Sequence, residues 1–280
     1  MVYEERMLFD KVSQSIALEG GMNRFKDDLP NFSKDDFNLI HEWNCCLRNI
    51  IEEPEFKRCL RADRYYTITQ LPADSVSEVI DNMTTLYRSY HLAKMFLDSA
   101  HFVYGCAGQN AAVLNMESGL LPWGYVVKQN RPDVQIYNVS TPEINSIFSK
   151  VSYKLKLPPI CMNETPESND YDKFFYGSVF VSTGFLIYLS KDEQKNLLRQ
   201  INMGYKNLFI ELGKPNAGQQ NERFSSGAEC KTGFSKQELE QVIIHPNIPF
   251  YLQEINKSVV KNNCVAQAIK NAMEQILIRR

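Results

Sequence analysis

Apolar residues in NFSKDDFNLIHEWNCCLRNIIEEPEF recur at Phe37, Ile40, Trp43, Leu47 and Ile50, three and four positions apart, which predicts an amphipathic helix. Ser33, with Asp36 three residues on, supplies its capping signal, and Asn44 interrupts the apolar stripe. SVSEVIDNMTTLYRSYHLAKMFLDSA repeats the rhythm through Val76, Val79, Ile80, Met83, Leu86, Tyr87, Tyr90, Met95 and Phe96, a stripe that packs one helix face into a core. The proline-bearing stretches EEPEF and QLPAD separate these helices.

From residue 100 the rhythm changes. AHFVYG is an apolar run of strand length, QNAAVLNMESGLLPWGYVVKQ begins with helical character, and DVQIYNVS is again strand-like. In TPEINSIFSKVSYKL, Thr141 is placed to cap a helix, Pro142 suits its first position, and Ile144, Ile147, Phe148 and Val151 form the buried stripe. PPICMN and the first half of YGSVFVSTGFLIYL read as strands. SKDEQKNLLRQI opens with a capping box, Ser190 with Glu193, ahead of Leu197, Leu198 and Ile201, and NLFIELG follows as a further strand.

Strands alternating with helices imply right-handed crossovers and helices on both sheet faces. The expected fold is α/β, a Rossmann-like, mostly parallel sheet, with a helical region over residues 1–99 and an α/β domain over 100–280. A chain of 280 residues, 44% hydrophobic and 23% charged, is long enough to bury such a core.

Charge and cysteine usage narrow the partners. A net charge of −2 without long Lys/Arg blocks argues against a protein that grips nucleic acid through its phosphates, and points to small or neutral partners. Seven cysteines, odd in number and without a CxxC pair, read as a reducing compartment with no disulfide framework. The acidic start MVYEERMLFDKVSQ predicts no signal peptide, and no window approaches the ~18 apolar residues of a membrane span, so a cytoplasmic protein away from membranes is expected.

In an open parallel sheet, ligands bind beyond the carboxyl ends of the strands where the strand order reverses. With AHFVYG as the first strand, Gly105 and Gly108 stand at its carboxyl end, where glycine admits a close ligand and the next helix offers amide donors. Asn138 closes the second strand, where an acceptor for ribose hydroxyls is expected.

The succession FVYGCAGQNAAVL, IYNVSTPEINSIFSKV, VFVSTGFLIYLSKDEQKNLLRQI and NLFIEL, over residues 100–250, resembles the Rossmann-like S-adenosylmethionine-dependent methyltransferases. In that family the first loop reads acidic, apolar, Gly, any, Gly, any, Gly. The resemblance implies S-adenosylmethionine as cofactor, held by Gly105, Ala107, Gly108, Asn138 and Ser182. It also implies methyl transfer to an oxygen or nitrogen of a small-molecule or peptide acceptor, or else a methyltransferase fold kept as a non-catalytic binding module. Tyr87, Tyr90, His91 and Tyr188 are the candidate acceptor contacts, and no catalytic base is singled out, since transfer from a sulfonium needs little beyond orientation.

Other chemistry is sparse. His41, His91, His101 and His245 are dispersed, without metal-ligand spacing, so no metal site is expected. Neither a Gly-x-Ser-x-Gly elbow nor a phosphate-binding loop is present. Residues 213–236, rich in Gly, Asn, Gln and Ser, fit a lid, and Ser235 with Glu238 fits a helix cap beyond it.

Overall fold

The structure, a computed structural model, describes residues 7–29, 32–62, 86–116, 119–164, 179–184, 186, 189–213, 233–243, 249–253 and 274–280. The N-terminal part contributes α1 (Met7–Arg24), α2 (Lys34–Ile51), α3 (Pro54–Ala62) and α4 (Leu86–Cys106). Then follow β1 (Ala112–Met116), α5 (Trp123–Asn130), β2 (Gln135–Ser140), α6 (Pro142–Lys154), β3 (Cys161–Glu164) and β4 (Val179–Ser182). The chain continues through α7 (Lys191–Gly204), β5 (Asn207–Gly213), α8 (Lys236–Glu240), β6 (Phe250–Gln253) and β7 (Glu274–Arg279).

The strands form one seven-stranded sheet in the order β3-β2-β1-β4-β5-β7-β6. β1 to β5 are parallel, and β7 runs antiparallel to both of its neighbours. The alternation read from the sequence ends at β5, and the β6–β7 pair extends the sheet beyond it. Because β1 pairs with β2 on one side and β4 on the other, the order reverses between β1 and β4.

Alternating residues divide between two cores. Val113, Ile136, Val179, Val181, Phe209, Ile276 and Ile278 pack against α1, α2, α4, α5 and α6. Leu114, Met116, Val139, Phe180, Leu208, Ile210 and Leu277 pack on the opposite face against Leu197, Leu198 and Ile201 of α7 and Leu239 of α8. The N-terminal helices therefore share a core with the sheet, and position 99/100 falls inside α4.

Local signals explain the helix starts. The capping boxes Ser33/Asp36, Ser190/Glu193 and Ser235/Glu238 are formed, and Thr141 caps α6 with Pro142 in its first turn. Arg279 of β7, fully buried, donates to the Lys206 and Tyr205 carbonyls and to Asn202, closing the carboxyl end of α7. α1 and α4 cross closely at Gly21, where a Cβ would meet the Ser89 carbonyl oxygen at 1.9 Å.

One element differs from the sequence reading. AHFVYG is the last turn and a half of α4, not a strand, and the first strand is Ala112–Met116. The buried stripe of Tyr90, Ala93, Phe96, Leu97, Ala100 and Val103 runs through this run at helical spacing, so the apolar residues 102 and 103 complete a helix face. None of the described helices is long and apolar enough to cross a membrane.

Candidate functional site

The shift of the first strand moves the glycines. Gly105 lies in α4, and Ala107 and Gly108 lie between α4 and β1, at the amino end of the sheet and away from the crevice assigned to them. Neither glycine has a left-handed φ, and a Cβ at either position would meet nothing within 4 Å. The segment is a helix terminus closed by Arg131, whose guanidinium donates to the carbonyls of Tyr104, Ala107 and Gly108 at 3.4, 3.0 and 3.0 Å. Asp133 grips the other side of that guanidinium at 2.8 Å, and this hydrogen bond holds its carboxyl well below the usual carboxylate range.

At the carboxyl end of β1 the chain reads Glu117-Ser118-Gly119, and Gly119 has φ +64°. Glu117 stands two positions ahead of this glycine in the sequence, with the polar Ser118 between them. Gly119 lies 14 residues beyond Gly105 and 11 beyond Gly108, and it stands at a strand end only because the first strand is 112–116. Across the switch point, Gly184 stands just past β4 with φ +73°.

The helical layer grips both turns. The Trp43 indole N–H donates to the Leu120 carbonyl at 2.8 Å, and the Ser15 hydroxyl lies 3.1 Å from the same oxygen and 2.9 Å from Asn44 Oδ1. Asn44, the break in the α2 stripe, also donates to the Ser15 carbonyl at 3.0 Å, so its polarity ties α2 to α1 at the edge of the site. Lys11 of α1, fully buried, lays its stem against Gly119, where a Cβ would meet Lys11 Cδ at 2.4 Å, and donates through Nζ to the Gly184 carbonyl at 3.4 Å. One lysine thus bridges the turns that follow β1 and β4.

A second polar group extends this edge to β5. His91, from the first half of α4, meets Glu211 of β5 at 2.5 Å, both buried. Burial pushes the Glu211 carboxyl up, but the charge and hydrogen bond of His91, the backbone N–H of Gly184 and the charge of Lys11 outweigh it and hold the carboxyl below its ordinary value. Arg88 pairs with Asp10 at 2.5 Å, and Gln14 donates to the same carboxylate at 2.9 Å. α1 and the start of α4 therefore lay charged and amide groups along the carboxyl edge of β1, β4 and β5.

The other sequence candidates separate. Asn138 sits two residues short of the end of β2, buried, with its Oδ1 accepting from Asn115 Nδ2 at 3.0 Å, so its acceptor is turned to a neighbouring strand and not to the strand's end. Ser182 is the last residue of β4, buried, and its hydroxyl finds no hydrogen-bond partner among the described residues. Tyr90 is a core residue, edge-on to Phe25 at 5.3 Å, with burial pushing its phenol up to about 12; it is not exposed to an acceptor. His91 lies at the crevice edge. Tyr87 belongs to α4, while Tyr188 and the stretch 214–232 lie outside the described residues.

No family profile and no curated protein matches the chain. Solved structures match at low identity. A candidate O-methyltransferase from Nostoc punctiforme has a TM-score of 0.45 at 12% identity over 75% of this chain and 61% of its own, so this chain spans less than two thirds of that protein. The S-adenosylmethionine-dependent methyltransferase SibL gives 0.49 at 9% identity over 93% and 76%, and an O-methyltransferase family protein from Burkholderia thailandensis gives 0.47 at 10% over 91% and 75%.

Proposed function

We propose that the chain is an S-adenosylmethionine-dependent methyltransferase whose cofactor lies at the switch point between β1 and β4, and whose acceptor is a small molecule or peptide modified on oxygen or nitrogen. The observation that carries the reading is the pair of left-handed glycine turns, Gly119 and Gly184, on either side of the reversal in strand order. The residues there suit the group. Gly119, following Glu117 and Ser118, lets the backbone come close, and the buried Ser182 hydroxyl offers a donor at the next strand end. The Lys11 ammonium, beside the Gly184 carbonyl with its stem against Gly119, suits the cofactor's carboxylate. Bound S-adenosylmethionine would supply an activated methyl group on a sulfonium. The protein's task is then to orient the acceptor and exclude water, and the buried His91–Glu211 pair supports the reading as a polar group at the β5 side of the switch point.

One observation favours a second reading, a methyltransferase fold that binds without catalysing: the stem of Lys11 fills the space against Gly119 that a ligand would use. Calorimetry and thermal shift with S-adenosylmethionine and its demethylated product separate the two. Saturable binding, with a thermal midpoint that climbs with ligand concentration, is the expected result. Neither heat nor shift at millimolar ligand overturns the methyltransferase reading and leaves the binding module.

A further inference from the structure

On the outer side of α2, His41 and Cys45 stand one helical turn apart, a spacing that sets their side chains on a common face. Cys45 Sγ lies 3.7 Å from His41 Nε2, and His41 Nδ1 lies 2.6 Å from Glu19 Oε1 on α1. The thiol and the imidazole are exposed, whereas Glu19 is half-buried at the helix seam. In the tautomer that carries its N–H on Nδ1, toward the Glu19 carboxylate, the Nε2 lone pair faces the thiol. Beside the three residues is a hollow of about 210 Å³ that shares Glu19 and His41 and has Met22, Phe37 and Ile40 in its walls, together with Asn23 and Asn38.

We propose that Cys45 is a reactive thiol site, activated by His41 and Glu19, that undergoes exchange with small disulfides. The reaction begins as His41 Nε2 takes the Cys45 thiol proton, and the Glu19 carboxylate offsets the imidazolium charge. The thiolate attacks one sulfur of the disulfide, a new S–S bond to Cys45 forms, and the old S–S bond breaks. The departing thiolate takes the proton back from His41 and leaves as a thiol. The products are a mixed disulfide at Cys45 and one equivalent of free thiol, with no further oxidant.

Sulfur chemistry is selected over acyl transfer by the position in the helix. The backbone N–H groups around Cys45 lie within α2, bonded along the helix, and offer no oxyanion hole, which acyl transfer needs and attack on a disulfide sulfur does not. The hollow between α1 and α2 takes the substituent on the disulfide, its apolar walls covering the carbon chain and its asparagines meeting polar groups. The adjacent Cys46 is a contrast within the same helix: it is half-buried, packs against the core, and burial pushes its thiol up.

The test uses the whole chain and oxidised glutathione, with site-by-site mass spectrometry of the adducts over time. Cys59 and Cys161, also exposed, serve as internal references. Cys45 is expected to react about tenfold faster than either. His41→Gln should bring Cys45 down to the reference rate while leaving Cys59 and Cys161 unchanged, which also reports that the fold is intact, and Glu19→Gln should fall between. A Cys45 rate equal to the references in the native chain, or one unaltered in His41→Gln, overturns the proposal.

Discussion

The two ends of β1 carry glycines of opposite character. At the amino end Gly105 and Gly108 sit in open surroundings with ordinary backbone angles, and the carbonyls there are tied down by Arg131. At the carboxyl end Gly119 is left-handed and pressed against the buried stem of Lys11. Two glycines in one short stretch stand at the end that does not require them, and a single glycine serves the end that does. What marks a site glycine is its backbone angle and what approaches it, and neither property is visible in a count of glycines.

The sharpest test of that contrast replaces a glycine at each end by valine. Gly119→Val puts a β-branched residue in the left-handed region and drives its side chain into Lys11, so a loss of about 2–5 kcal/mol is expected. Gly108→Val meets neither obstacle and should stay within about 0.5 kcal/mol of the native protein. Chemical denaturation of both variants decides the matter, and equal losses would erase the distinction between the two ends.

The same contrast shows what the sequence discloses. Local chemistry was legible: Ser33, Thr141, Ser190 and Ser235 each begin a helix because a cap and its partner lie within four residues of each other. β2, β4 and β5 and the α/β class were legible too, since β-branched and aromatic runs bounded by caps have few other uses. The join of α4 to β1 was not. A short apolar run such as His101–Val103 fits a strand or a helix end equally well, and the choice depends on whether the stripe through Tyr90, Ala93 and Phe96 continues, a property of the whole helix. The surroundings of Asn138 and Tyr90 were hidden for a related reason. Their types suit ligand contact, but their partners, Asn115 and Phe25, come from elements distant in sequence. Lys11 and Glu211 carried no local signal, because a lone lysine or glutamate reads as surface until the fold buries it.

Buried charge is a second difference between the ends, and acid should expose it. Glu211 at the carboxyl edge is held below its ordinary value of 4.5 by His91, Gly184 and Lys11, so the ionised form is favoured by folding. Its stabilisation is complete above the unfolded value and disappears as pH falls through the folded one. Glu211→Gln leaves the facing cations without their counter-charge and should cost about 3 kcal/mol at neutral pH. The gap between native and variant chains should narrow as acid is added below 4.5. Denaturation midpoints of both proteins across the acid range measure this, and a gap independent of pH would mean that the carboxylate is not what stabilises the edge.

The smallest effect belongs to the amino end, where the polar contacts are partly solvated. Arg131 joins three carbonyls of the α4 terminus to Asp133, with its side chain 21% exposed and that of Asp133 29% exposed. Solvent weakens such pairs, so Arg131→Ala is expected to cost about 1 kcal/mol, mostly by releasing the helix end rather than by unfolding the sheet. The change should therefore be local. Hydrogen exchange should quicken at the amides of Ala107 and Ala111, which bond to the Val103 and Gly108 carbonyls, while amides of β1 keep their protection. Asp133→Asn should reproduce the pattern, because Asp133 acts by aligning the guanidinium, and the double variant should add little to either single one. If exchange quickened in β1 as well, the Arg131 clamp would be part of the sheet's stability, and the two ends of the strand would be less independent than their glycines imply.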